Sequence, residues 1–594
     1  MGTVTCPTSD ALSQWDPLVQ SVSSRKQRYI WPSHYLNHST IPSVYLQRET
    51  GSLHLHELQR ELRRSQELIQ RLQISEKLSS HTGCVNSLDW SDDGEYLLSG
   101  SDDLHLAVWD ASKPNGFAPY RFKTLHQENI FTVRFLCKSN GRQIVSACGD
   151  GSIIYTQLKE ADVAQKLIKN HTATVYRVLP LTEACSCFLS CSEDGTVRQF
   201  DARQPFCECD PGDNCNHSLL ANMEKAVSTI ALNPVRFHEL AVGCSDSTIT
   251  FYDRRKMDRP TKRIRCQTTK NMPRRITSLQ YDAYGSSLLA NVLCEKIQLL
   301  DLRINEQLKE GKAKKLEDPK ELCPTEPLPI KRLRLRGDWS DTGPQSRPGQ
   351  RPTEAASGSS RFMVEISDLM TTWMRNQMAA QPAAPSPPAP VITPSERSAG
   401  GGGRNDSGAQ LMDVIASAPT RNKKFPEDLV IVKPVLEYSG HRSSRTMIKE
   451  ARFWDDSFVI SGSDCGRVFI WDRQSGKLVN VFEGDKHVVN CIQPHPTQFL
   501  LATSGIDHDV KIWRPTAEEA CFDAGLAENI AEVNNQMLDE TRDTVTVPAV
   551  CVVRILRAMA RRSEEGEQRR QDRSGNAANR AREEEQDGSE TEEE

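Results

Sequence analysis

No run of eighteen apolar residues occurs anywhere in the 594-residue chain, so no membrane-spanning helix is expected. The opening residues, MGTVTCPTSDALSQWD, have neither a basic start nor an apolar stretch, so a secretory signal is not expected either. Catalytic signatures are missing: there is no P-loop, GxSxG elbow, HExxH or dinucleotide fingerprint. Apolar residues are scarce at 37%, and glycine and proline together contribute 33 and 32 residues. A chain this long exceeds one ordinary compact core, and its composition suits a folded part diluted by segments that cannot build one. The net charge of -5 argues against attraction of the whole protein to nucleic acid. Neither direct nucleic-acid binding nor a membrane partner is expected. Eighteen cysteines without a secretory signal read as reduced thiols of a cytosolic or nuclear protein. Cys84, Cys148, Cys191, Cys244 and Cys491 lie in or beside strand-like runs, where they act as small hydrophobes.

What is present is a repeat. HTGCVNSLDWSDDGEYLLSGSDDLHLAVWD, from His81 to Asp110, reads as three short strands with turn signals between them. Similar units end at Tyr155-Thr156, Phe200-Asp201, Tyr252-Asp253, Leu300-Asp301, Trp471-Asp472 and Ile512-Trp513. Seven units at this period predict an all-β fold, a seven-bladed WD-repeat propeller. One repeat cannot bury both faces of its sheet, whereas a closed ring of seven can. Each repeat should supply three inner strands of one blade and the outer strand of the blade before. The last blade then needs its outer strand from around residues 72–78.

Within a repeat, a His, a Ser, an Asp and a Trp can form a buried hydrogen-bonded chain; in the first unit these are His81, Ser99, Asp103 and Trp109. Asp103, Asp194, Asp246 and Asp507 each stand six residues before the aromatic position. A hydrolase triad would appear once, in a pocket. Recurrence from unit to unit points to a structural network instead. No catalytic residue is assigned, and the protein is not expected to be an enzyme.

The expected organisation is a disordered 1–50, an amphipathic helix over 51–71 and propeller blades one to five over 72–303. A disordered insertion between blades five and six (304–437) follows, then blades six and seven over 438–515, C-terminal helices over 516–563 and an acidic disordered tail over 564–594. In the leading helix Leu55, Leu58 and Leu62 form a stripe that breaks at Ser65, with Leu68 and Ile69 beyond. It either packs on its own propeller or is presented to a partner's groove. The insertion carries Pro-rich and Gly-rich tracts, a basic cluster (Lys331, Arg332, Arg334, Arg336) and a candidate short helix over 362–374. The cluster reads as a solvated charge run, a nuclear import signal or an anchor on an acidic surface. After the last repeat, Leu526, Ile530, Val533 and Met537 fall at helical spacing, and a second apolar stretch follows Pro548.

Cys207, Cys209, Cys215 and His217 could offer thiolate and imidazole to zinc. Their CxC spacing is atypical and no second knuckle follows, so reduced loop thiols are the favoured reading; no metal and no cofactor are expected. Three consecutive units end in Asp-x-Arg: Asp201 and Arg203, Asp253 and Arg255, Asp301 and Arg303. Equivalent positions in successive blades place three guanidinium groups on one arc of one face, and Arg is favoured as an interface anchor.

These boxes and the leading helix resemble the WD-repeat substrate receptors of cullin-4 RING ubiquitin ligases. Longer stretches carry the resemblance too, among them LAVGCSDSTITFYDRR, KRLRLRGDWSDTGP, GHRSSRTMIKEARFW and LDETRDTVTVPA. The resemblance implies a substrate-recognition adaptor that bridges the ligase's propeller adaptor to a protein to be ubiquitinated. The docking residues would be Asp201, Arg203, Asp253, Arg255, Asp301 and Arg303, with Leu58, Leu62 and Leu68 as helix anchors. It further implies a nuclear role as a transcriptional coactivator, with nuclear receptors as partners, although the chain has neither an LxxLL box nor an IQ-type calmodulin motif. A protein of a different class, a nuclear scaffold or coactivator working without ubiquitination, would use the insertion, the basic cluster and the acidic tail instead.

Overall fold

In a computed structural model of the chain, the alternating run after His81 becomes Val85–Trp90, the inner strand of a four-stranded antiparallel sheet. The structure describes residues 62–303 apart from 112–117, 160–161, 207–217, 224 and 270–271, then 341–348 and 429–542, with short pieces at 49, 313–315, 332–335, 339 and 544–547. Seven sheets follow one another in sequence order. Their inner strands begin at Val85, Ile130, Val175, Val227, Ile276, Ala451 and Val489, and each contacts the next until the ring closes. This is a seven-bladed WD-repeat propeller.

Closure is made by the strand Gln73–Ser79, which pairs antiparallel with Asp509–Arg514 as the outer strand of blade seven. Seven apolar clusters form the core, one in each gap between adjacent blades. The sheets therefore hold one another by burying both faces, which no isolated blade could do. At the seam of blades seven and one, the Trp90 indole donates to Gln493 O (3.1 Å) and its ring meets that of His495 edge-on at 4.6 Å.

Blade five spans the insertion. Its third strand, Ile297–Asp301, pairs with Leu436–Tyr438, so the long excursion falls between the third strand of this blade and its outer strand. Blade four is widened by Leu429–Val432, parallel to Lys262–Arg265, and by Ala313–Lys315 beyond it. The segment 341–348 folds back onto blades six and seven. There Gly343 N donates to Asp464 O (3.0 Å) and Thr342 Oγ1 meets His487 Nδ1 (3.2 Å). Gly343 has φ +87°, and a Cβ there would sit 2.1 Å from Lys486 O, so this turn requires glycine. A second unit contains the strand Arg332–Leu335, which pairs in parallel with Thr544–Val547. The candidate helix over 362–374 and the stretch after Pro548 lie outside the described residues.

Helix Ala524–Thr541 starts at Asp523, whose carboxylate accepts from Gly525 N and Leu526 N. Its buried face keeps Met537 of the expected stripe, and Ile530 packs against the gap between blades five and six, but the face also takes in a polar residue. Leu526 is 57% exposed, while Ala527, Asn534, Met537 and Leu538 are buried. The polar residue is Asn534, whose amide donates to Gly440 O (2.8 Å).

The first blade's polar residues form one chain. Asp103 lies 3.1 Å from His81 Nδ1, His81 Nε2 lies 2.8 Å from Ser99 Oγ, and Trp109 Nε1 donates to Ser99 Oγ at 2.9 Å. Blade three repeats the first two links with Asp194, His171 and Ser190. Blade six departs: Cys465 stands in the Asp position, and Asp464 pairs instead with Lys449 at 3.0 Å, both side chains fully buried. Burial holds His126 and His495 down to about 4 and His441 to about 3, and it lowers His171. Between pH 6.5 and about 4 the unfolded chain therefore binds protons that the folded chain refuses, so stability falls as pH drops through that window. The partner carboxylates Asp103 and Asp194 are held far below the usual range, so their stabilisation persists to lower pH. A melting curve taken from pH 7 to 4.5 should shift steadily down. A flat melting temperature over that range would contradict the neutral, buried histidines.

Candidate functional site

The third strands of blades three, four and five end at Asp201, Asp253 and Asp301, and all three ends open on the same face of the ring. At each, the following turn brings the Arg two residues on back over the Asp. Arg203 N and Nε donate to Asp201 Oδ1 at 3.0 Å each, and Nη2 donates to Oδ2 at 2.7 Å. Arg255 on Asp253 shows the same three contacts at 3.0, 3.0 and 2.7 Å. Arg303 on Asp301 shows them at 2.9, 3.1 and 2.7 Å. The Arg side chains are 67–72% exposed, while the Asp side chains are 16–24% exposed. Each fork thus fixes a guanidinium in one pose and leaves one of its edges to solvent. The side-chain and backbone N–H groups of Arg203 hold Asp201 down to about 2, and those of Arg255 hold Asp253 below the usual carboxylate range. These two forks therefore stay ionised throughout the physiological pH range.

The turns joining first and second strands open on this face as well. They present Val235, Phe237 and Tyr284, exposed by 58%, 46% and 65%. Arg254 crosses from blade four to Glu183 and to Phe237 O, linking two of these turns. The leading segment arrives here too. Arg63 Nη1 donates to Pro496 O (2.9 Å), Arg64 reaches Asp456 (3.4 Å), and Tyr284 Oη donates to the same carboxylate (3.0 Å). Forks on blades three to five and the leading segment on blades six and seven form one continuous arc.

The WD domain, G-beta repeat family matches residues 72–110, 163–201, 432–472 and 476–514. Human DDB1- and CUL4-associated factor 6 is 26% identical, with 83% of this chain and 93% of that protein covered. The mouse protein of the same name is 25% identical over the same shares. The chain is a WD-repeat protein related to DDB1- and CUL4-associated factor 6. Human WD and tetratricopeptide repeats protein 1 is a further relative, 23% identical over 78% of this chain and 87% of its own length.

In this WD-repeat protein the described part of the leading segment packs on its own propeller, one of the two readings its stripe left open. The helix breaks at Ser65, whose side chain caps a second short helix, Gln66–Gln70. Leu68 is 7% exposed and lies with Ile69 and Leu72 in the core between blades six and seven; Leu62 packs against the same cluster. Leu68 is therefore used by the propeller itself and is not available to a partner. Leu58 lies outside the described residues, as do Lys331, Arg336, Cys207, Cys209, Cys215 and His217. Arg332 and Arg334 lie on the strand paired with Thr544–Val547. Among the described residues every cysteine is a free thiol, and no helix is long and apolar enough to cross a membrane.

Sequence reasoning missed the polar centre of the ring. Glu450, just before the inner strand of blade six, accepts from Arg177 Nη1 (2.8 Å), Arg134 Nη2 (3.4 Å), Arg452 Nε (3.2 Å) and Gln493 Nε2 (3.2 Å). Asp89 adds a second carboxylate 3.7 Å from Arg134. Blades one, two, three, six and seven are thus tied across the central channel. The surrounding guanidinium groups outweigh burial and hold Glu450 far below the usual carboxylate range. The signal available was a lone Arg at the inner strand of each of three units: FTVRF, VYRVL and EARFW.

Proposed function

We propose that the chain is a substrate receptor of a cullin-4 ubiquitin ligase, docking to DDB1 through the fork-bearing face and leaving the opposite face for cargo. The observation that carries this reading is the threefold identical presentation of Arg203, Arg255 and Arg303. A structural ion pair has no need to point one guanidinium edge outward in three successive blades, whereas an interface gains from anchors ordered in advance. The relatives' printed name, DDB1- and CUL4-associated factor 6, supports it. With no catalytic constellation assigned, the role is an adaptor's, and turnover belongs to the ligase. Nuclear residence, entry through the Lys331–Arg336 basic cluster and transcriptional coactivation are part of the same proposal. The test is co-elution: the purified chain and DDB1, mixed at micromolar concentration, should migrate as one complex on size exclusion. Two separate peaks would overturn the docking. If the coactivator role works apart from ubiquitination, deleting 345–425 should reduce reporter activity while substrate turnover stays intact.

A further inference from the structure

The face away from the forks is half covered. The segment 341–348 and helix Ala524–Thr541 close over blades six and seven, with Arg442 fully buried between Asp341 O and Met537 Sδ. Arg445 fastens the same segment through Asp341 at 3.3 Å. Toward blades one to five the mouth of the central channel is lined by Phe131, Thr132, Tyr176, Arg177, Met447 and Glu450. Phe131 and Tyr176 stand 5.9 Å apart, and Met447 is 41% exposed.

At the floor of this mouth the charges do not balance. Arg134, Arg177 and Arg452 share Glu450, and Asp89 is the second carboxylate beside them, so three cations face two anions. Glu450 is saturated by its partners. Arg177 gives only Nη1 to it, and its Nε is buried with no partner. A further anion meeting the guanidinium group of Arg177 from the mouth would balance the charge. Burial, with Arg134 and Arg452 close by, holds Arg177 below the usual arginine value. At the rim, Glu193 is already held by Arg275 (2.8 Å) and Tyr176 (3.1 Å), while Glu128 is exposed. An exposed carboxylate at the rim disfavours a run of acidic residues and favours one acid among neutral neighbours.

We propose that this mouth docks an extended client segment carrying a single carboxylate, which takes the spare N–H groups of Arg177 while flanking apolar side chains lie on Phe131, Tyr176 and Met447. The inference names the class of cargo for the receptor function above and rests on that reading. It is tested without any ligase component, so its failure and a failure of DDB1 docking are separate results. The probe is a fluorescein-labelled peptide, Gly-Ser-Ala-Leu-Glu-Ala-Leu-Ser-Gly, and its Glu→Gln twin, titrated against the full chain by anisotropy. The Glu peptide should bind at least about tenfold more tightly than the Gln peptide, one charge-assisted contact being worth about 1.5 kcal/mol or more. Arg177→Gln should erase that preference. Met447→Asp, outside the ionic cluster, should weaken the Glu peptide while leaving the melting temperature unchanged. Equal affinity for the two peptides, no binding of either at millimolar concentration, a preference that survives Arg177→Gln, or undiminished affinity for the Glu peptide in Met447→Asp overturns the proposal.

Discussion

Alanine at both Arg203 and Arg255 abolishes co-purification of DDB1 with the full chain and leaves the propeller folded. The two halves of this expectation have different physical sources. Each Arg forks onto the Asp two residues before it, on an exposed turn. Exposed pairs of this kind contribute little to stability, so the melting temperature should move by no more than about 2 °C. Binding is another matter. Nε and Nη2 are held by the Asp, the backbone N–H locks the same carboxylate, and the outward edge is fixed before any partner arrives. Little side-chain entropy remains to be lost on docking. An anchor of that type typically contributes a factor of about thirty in affinity, and two together approach a factor of about 10³. Arg303→Ala alone should weaken capture without abolishing it. Capture that survives the double substitution in a folded protein removes the fork arc from the interface.

The forks could be read from sequence because they recur at one register in three units, and periodicity converts a local pattern into a shared face. The ring closure was legible for the same reason, since a seventh sheet without an outer strand leaves an open edge. Phase within a helix was not. Leu526 and Leu68 carry the same side chain, yet one is exposed and the other buried. What helps to decide is a polar contact: Asn534 donates to Gly440 O on the buried side of the C-terminal helix, and Ser65 caps the short helix that carries Leu68. The segment 341–348 is likewise invisible to composition. It sits in a stretch too poor in apolar residues for a core, but its docking uses backbone hydrogen bonds, a glycine at positive φ and the carboxylate of Asp341. Least legible of all is the channel cluster, whose members are separated by hundreds of residues and meet only because the ring is closed.

Closure also makes Glu450 a sensitive position for stability. Glu450→Ala should cost about 3–5 kcal/mol, because it leaves three largely buried guanidinium groups crowded together with Asp89 as their remaining carboxylate. For a ring of this size that is a fall in melting temperature of roughly 10 °C. Glu450→Gln keeps the shape but not the charge, and its amide N–H₂ would face a guanidinium; it should recover only part of the loss. The charge argument makes a sharper demand than the cavity argument. If uncompensated charge is the cause, adding Arg177→Met to Glu450→Ala removes one of the repelling cations and should raise the melting temperature above that of Glu450→Ala alone, although it deletes a second native side chain. If lost packing were the cause, the double variant would melt lower than either single one. Measuring the four proteins of that cycle by calorimetry decides between them. A positive coupling energy would show that the ring is latched electrostatically across its centre as well as by the apolar gaps between its blades.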